Sequence, residues 1–84
     1  MITDIEQAVI QKAIDEGELY KLLNVDIGKC FYLNQDIWGF VVDYNAKYKQ
    51  IPTIEIIQKK YPEFESQDLS GISLDYLIDE AQNV

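Results

Sequence analysis

Apolar positions recur along the chain at the three-and-four spacing of helices, in blocks separated by turn residues. Ile5, Ala8, Val9 and Ala13 share one stripe, which predicts an amphipathic helix running to about Glu16. Thr3-Asp4-Ile5-Glu6 reads as its capping box, with Thr3 as N-cap and Glu6 reaching back. Gly17 can take the left-handed position that closes a helix. Ile10 and Ile14 lie off the stripe, and a helix apolar on two sides is either deeply buried or shared with a partner.

Residues 18–24 read as a short second helix, with Leu19, Leu22 and Leu23 facing inward, followed by a loop over Val25-Asp26-Ile27-Gly28-Lys29. Phe31-Tyr32 lead into the longest periodic segment. Asn34 is its expected N-cap, and Ile37, Phe40, Val41, Tyr44 and Tyr48 keep helical spacing to about Lys49. Pro52 lacks an amide proton and pushes Ile51 out of helical geometry, so residues 50–53 are a break. Thr53 then caps a fourth helix over roughly 54–61, closed by Pro62. Residues 63–73 are polar, with a turn at Ser70-Gly71. A last helix starts near Leu74 and packs Leu74, Leu77, Ile78 and Ala81. No alternating strand pattern of useful length appears.

The expected fold is therefore all-α: one compact domain over residues 1–84, built as a bundle of about five short helices. Its expected core contains Ile5, Val9, Leu22, Phe31, Phe40, Val41, Tyr44 and Leu77. Trp38 and Val42 sit roughly 100–140° from the centre of the third helix's stripe, at ~100° per residue. They either widen the buried face or form an apolar patch, and aromatic anchors are typical of interface hot spots. Ile10, Ile14, Trp38 and Val42 are the candidate interface.

Charge narrows the class of partner. The formal net charge is −8, from fifteen acids against seven lysines, with no Arg and no His. Nucleic-acid binding relies on clustered Lys and Arg, so direct contact with DNA or RNA is not expected, nor docking to an anionic membrane. Cys30 is the single cysteine, which leaves no internal disulfide and, without His, no ligand set for zinc. Gly28-Lys29 lacks the rest of a phosphate-loop pattern. Asp15, Glu16 and Glu18 cluster at one helix end and Asp75, Asp79 and Glu80 on the last helix, both among polar neighbours that would leave their pKa values alone. No catalytic, cofactor or metal site is expected. The Met1-Ile2-Thr3-Asp4 start has no basic and apolar leader and no apolar run approaches ~18 residues, so the expected compartment is the cytoplasm.

Several segments, in order, resemble the N-terminal domain of DnaB-type replicative hexameric DNA helicases. Ile5-Glu6-Gln7-Ala8-Val9-Ile10 is similar to that family's opening helix, and Cys30-Phe31-Tyr32 followed by Phe40 to its Phe-Tyr…Ile-Phe segment. Pro52 falls where the family has Gly-x-Pro-Ile-Asp, and Leu74-Asp75-Tyr76-Leu77 through Asn83-Val84 resembles its closing helix. Asp36 replaces a frequent His, Gln50-Ile51 the Gly before the proline, and Gly71 alone a Gly-Gly pair; residues 61–70, interrupted by Pro62, are unlike the family. These departures would make the chain a divergent member, such as a phage-encoded one. The resemblance implies a helical head that precedes a helical hairpin and an ATPase domain, neither of which lies within these residues. Heads and hairpins form a collar that receives primase or a helicase loader. It thus implies self-association, as a dimer or higher and a hexamer in a full-length helicase, with primase or loader as partner and the motor elsewhere. The alternative expectation is a free-standing adaptor or inhibitor that binds a replication protein.

Overall fold

In the computed structural model, which describes residues 4–82, the chain is all-helical. The elements are α1 (Ile5–Glu16), α2 (Leu19–Asn24), a 3-10 turn (Ile27–Cys30), α3 (Gln35–Tyr48), α4 (Ile54–Lys60) and α5 (Leu74–Gln82). Each boundary has a local cause. The Thr3 cap lies outside the described residues; Asp4 is the N-cap of α1, its carboxylate accepting from the amides of Glu6 at 3.0 Å and Gln7 at 3.2 Å. Gly17, at φ 67°, ends α1, with the Gly17 and Glu18 amides turned back onto Ile14 and Ala13 carbonyls. Thr53 caps α4 by accepting from the Ile56 amide, and Ser73 does the same for α5 through Tyr76.

α1 is the hub. It packs most extensively on α5 and also on α2. Ala8, Val9, Ile10 and Ala13 are fully enclosed, together with Leu22, Ile27, Phe31, Val41, Ile57, Phe64 and Leu77. Ile5 lies half-buried at the margin of this core. Two expected loops contribute to it. Ile27 enters from the 3-10 turn, and Phe64 and Leu69 enter from the polar stretch after α4.

Glu6, whose expected capping partner Thr3 lies outside the described residues, bonds across the fold. Its carboxylate crosses to the start of α3, accepting from the amides of Tyr32 (2.9 Å), Leu33 (3.1 Å) and Asn34 (2.9 Å) and from the Asn34 side chain (2.9 Å). Asn34 holds the expected N-cap position but makes no side-chain cap bond. It is buried and bonded instead to Asp4, Glu6 and Gln7. On the other side of α1, Gln7 accepts from the Glu65 amide at 3.1 Å. Gln11 both accepts from the Gln67 amide and donates to its carbonyl, each at 2.8 Å. These are the bonds that let Phe64 and Leu69 turn inward on a stretch with no secondary structure.

Burial alone would raise the Glu6 pKa. Hydrogen bonds from the Tyr32 amide, the Asn34 side chain and the Asn34 and Leu33 amides outweigh it and hold the carboxyl below its ordinary 4.5. A lowered folded-state pKa stabilises above the unfolded value and loses that contribution as pH falls through the folded one. Glu6→Gln should therefore cost about 1–3 kcal/mol near neutral pH, read from urea midpoints. The gap to the wild type should close as pH drops through 4.5 and below. A gap that stays constant over that range would show that the charge is immaterial.

A second prediction concerns the contact between the 3-10 turn and α3. A Cβ on Gly28 would lie 2.8 Å from Trp38 Nε1 and 3.0 Å from its Cδ1. Gly28→Ala should shift the emission of the single tryptophan and cost about 1–3 kcal/mol. An unchanged spectrum and midpoint would mean that the indole is not held there.

Candidate functional site

The four candidate interface residues do not form one surface. Ile10 is wholly enclosed; it is a core residue. Ile14 is half-buried and packs against the core. Trp38 is also half-buried, meeting Phe31 edge to face with centroids 5.7 Å apart at 82°. Val42, half-buried, lies one turn further along α3.

Three residues expected in the core are not fully buried: Ile5, Phe40 and Tyr44. The inward stripe of α3 is Ile37 and Val41. Phe40 is half-buried at the margin of the core and Tyr44 is half-buried away from it. Tyr61, just after the 7-residue α4, meets Phe40 with centroids 5.9 Å apart, and the aromatic row continues along α3. Phe40 meets Tyr44 at 6.1 Å and Tyr44 meets Tyr48 at 4.6 Å.

This row lines an open groove of about 480 Å³ between α3 and the end of α4. Lys60 Nζ lies 5.0 Å from the Phe40 ring centre and Lys47 Nζ 5.3 Å from that of Tyr48, both cation–π contacts. Asp36 and Asp43 line the same groove, and the Tyr61 hydroxyl donates to the Asp36 carbonyl at 3.2 Å.

A second feature is the loop ahead of α3. Leu33 is 86% and Tyr32 73% exposed, the two most exposed large apolar side chains described. Their backbone is not loose, because both amides are tied to Glu6. A third surface lies around α2 and α5, where Tyr20, Leu23, Val25 and Tyr76 are exposed. There Lys21 joins the helices, 3.1 Å from Glu18 and 3.8 Å from Asp75. The hydrogen bond to Lys21 holds the Glu18 carboxyl below its ordinary range, and one to Glu80 raises the Tyr76 hydroxyl.

Charge is unevenly shared among these surfaces. Residues 35–61 carry four lysines (Lys47, Lys49, Lys59 and Lys60) against three acids, and the rest carries three lysines against twelve acids. Among the described residues, ion pairs fall on Lys12, Lys21 and Lys29, all outside that segment. Asp15, Glu16, Asp75, Asp79 and Glu80 are exposed to solvent. Among the described residues no group of three or more acids or cysteines is placed to hold a metal ion, and no helix is long and apolar enough to cross a membrane. What the arrangement offers chemically is contact: a fixed apolar protrusion, an aromatic groove edged by lysines, and acidic flanks. The protrusion was legible only as the pair Phe31-Tyr32; Leu33 carried no periodic signal.

No family model, curated protein or solved structure matches the chain.

The reassignment of the aromatic row has a measurable consequence. Trp38→Ala should cost about 2–4 kcal/mol, because the indole bridges Phe31 and Gly28. Tyr44→Ala, on the groove wall, should cost less than about 1.5 kcal/mol. Urea midpoints in the reverse order would return Tyr44 to the core.

Proposed function

We propose that this chain is a non-catalytic protein-interaction and oligomerisation domain of a DnaB-type replicative DNA helicase, contributing to the collar and docking primase or a helicase loader. The observation that carries the interaction role is the Tyr32-Leu33 protrusion, exposed in its side chains and fixed in its backbone by Glu6. Binding costs the entropy of ordering whatever it immobilises. A loop already held by three amide bonds to one carboxylate loses less of it. An apolar pair presented this way suits the centre of an interface.

The helicase assignment draws its support from the sequence resemblance. Two of the segments that carry it, Ile5-Glu6-Gln7-Ala8-Val9-Ile10 and Cys30-Phe31-Tyr32, meet through the Glu6 carboxylate and the Tyr32 amide. A standard interface takes about 800 Å² from each partner, roughly a seventh of the 5223 Å² surface. The alternative, a free-standing adaptor or inhibitor of a replication protein, is favoured by the net charge of −8, which suits a basic partner.

The test is binding of the purified chain to its cognate primase and loader by calorimetry, with self-association followed by sedimentation velocity. Leu33→Ser and Tyr32→Ala should each weaken the contact tenfold or more, the size of a loss of about 1.4 kcal/mol. Their unfolding midpoints should stay near the wild type, since both side chains are exposed. A chain that stays monomeric and binds neither protein would sink the helicase reading. Capture of a different replication protein through Leu33 would support the adaptor instead.

A further inference from the structure

We infer that the groove between α3 and α4 binds an acidic peptide segment of a partner protein, which inserts one large apolar side chain beside Phe40, Tyr44 and Tyr61 and turns its carboxylates to Lys47 and Lys60. The groove shares no residue with the Tyr32-Leu33 protrusion, so either surface can fail without the other.

Charge complementarity selects this occupant. Residues 35–61 have the chain's excess of lysine over acid, on a protein that is otherwise strongly negative. Lys47 and Lys60 are held at the groove by the rings of Tyr48 and Phe40, not by carboxylates. An exposed cation–π contact is weak and leaves the outer side of the ammonium free for an anion. The aromatic row supplies an apolar floor, with Tyr61 fixed by its hydroxyl on the Asp36 carbonyl. The volume, about 480 Å³, accommodates an aromatic side chain and its neighbours.

Asp36 and Asp43 decide between classes of macromolecule. A nucleic-acid strand carries one negative charge per nucleotide and would run past both carboxylates, with no arginine to fork its phosphates. A peptide has backbone amides to donate to Asp36 and Asp43 while its own acids meet the lysines. A second copy of the chain offers Tyr76 between Asp75 and Asp79. There, however, Asp75 is paired with Lys21 and the Tyr76 hydroxyl is bonded to Glu80. A separate acidic partner fits better.

A displayed random-peptide library panned on the purified chain would test this. Selected sequences should place acids on both sides of one aromatic or large aliphatic residue. The synthetic consensus peptide should perturb amides of Phe40, Tyr44, Lys47, Lys60 and Tyr61 in NMR spectra, and bind more weakly as salt rises. Tyr44→Ala and the double variant Lys47→Glu, Lys60→Glu should each lose tenfold or more in affinity; Lys60→Gln, a milder change, should lose several-fold. Circular dichroism checks that each variant stays folded. Four outcomes would overturn the proposal: a selection that returns no sequences or sequences without acids; affinity unchanged in the groove variants; stronger competition from oligo-dT than from the peptide; or concentration-dependent shifts in the groove that Tyr76→Ala abolishes, which would assign it to a second copy. None of these bears on binding through Leu33.

Discussion

The bonds that α1 makes with its polar edge are the constraint on which the rest depends. Two irregular stretches, residues 31–34 and 64–69, must close over the core without a helix to absorb their amides. A buried amide left without a partner costs about 1–3 kcal/mol, and a domain of this size buries only ~60% of its unfolded surface. It has little stability with which to carry such losses. Glu6 takes three amides of the first stretch, and Gln7 and Gln11 take the Glu65 and Gln67 amides of the second. Among the described residues no buried side-chain polar atom lacks a partner. One helix thus supplies the apolar face for α5 and the hydrogen bonds that hold both connections.

The same bonds settle what faces outward. With the amides of 32–34 gathered on one carboxylate, Phe31 turns into the core and meets Trp38, while Tyr32 and Leu33 turn to solvent. Trp38 is then clamped between Phe31 and Gly28, which sets the roll of α3. Ile37 and Val41 face inward, and Phe40, Tyr44 and Tyr48 form a row along the groove.

This explains how much could be read in advance. All five helices were legible, since each is bounded by residues with strong local preferences: Gly17, Asn34, Pro52 with Thr53, Pro62 and Gly71. The core positions of α1 and α5 were legible as well, because a stripe at helical spacing needs only a facing surface. The α3 row needed more. A stripe says which side chains lie together, not whether another element covers them, and so Phe40 and Tyr44 read as interior. Ile10 misled in the opposite sense, lying off the stripe yet fully buried. Phe64 and Leu69 are single apolar residues among polar ones and have no period to detect. Glu6 reads locally as half of a capping box, and its long-range bonds to residues 32–34 leave no mark in the local spacing.

Where the resemblance falls in the structure bears on what it can support. Ala8, Val9, Ile10, Phe31, Pro52, Leu74 and Leu77 are buried, and Glu6 and Gln7 hold the two connections. Most of the residues that carry the likeness belong to the scaffold, whereas Asp75 and Tyr76 of the same segments are exposed. Tyr32 and Tyr76 differ, since both belong to the likeness and are exposed. The Tyr32 ring, on a loop pinned by Glu6, contributes little to the core. Phe40 belongs to the likeness and also lines the groove, whose other rings and lysines, Tyr44, Tyr61, Lys47 and Lys60, lie outside it. How α1 holds the helices and what α3 and the end of α4 present at the groove are separate properties of the chain.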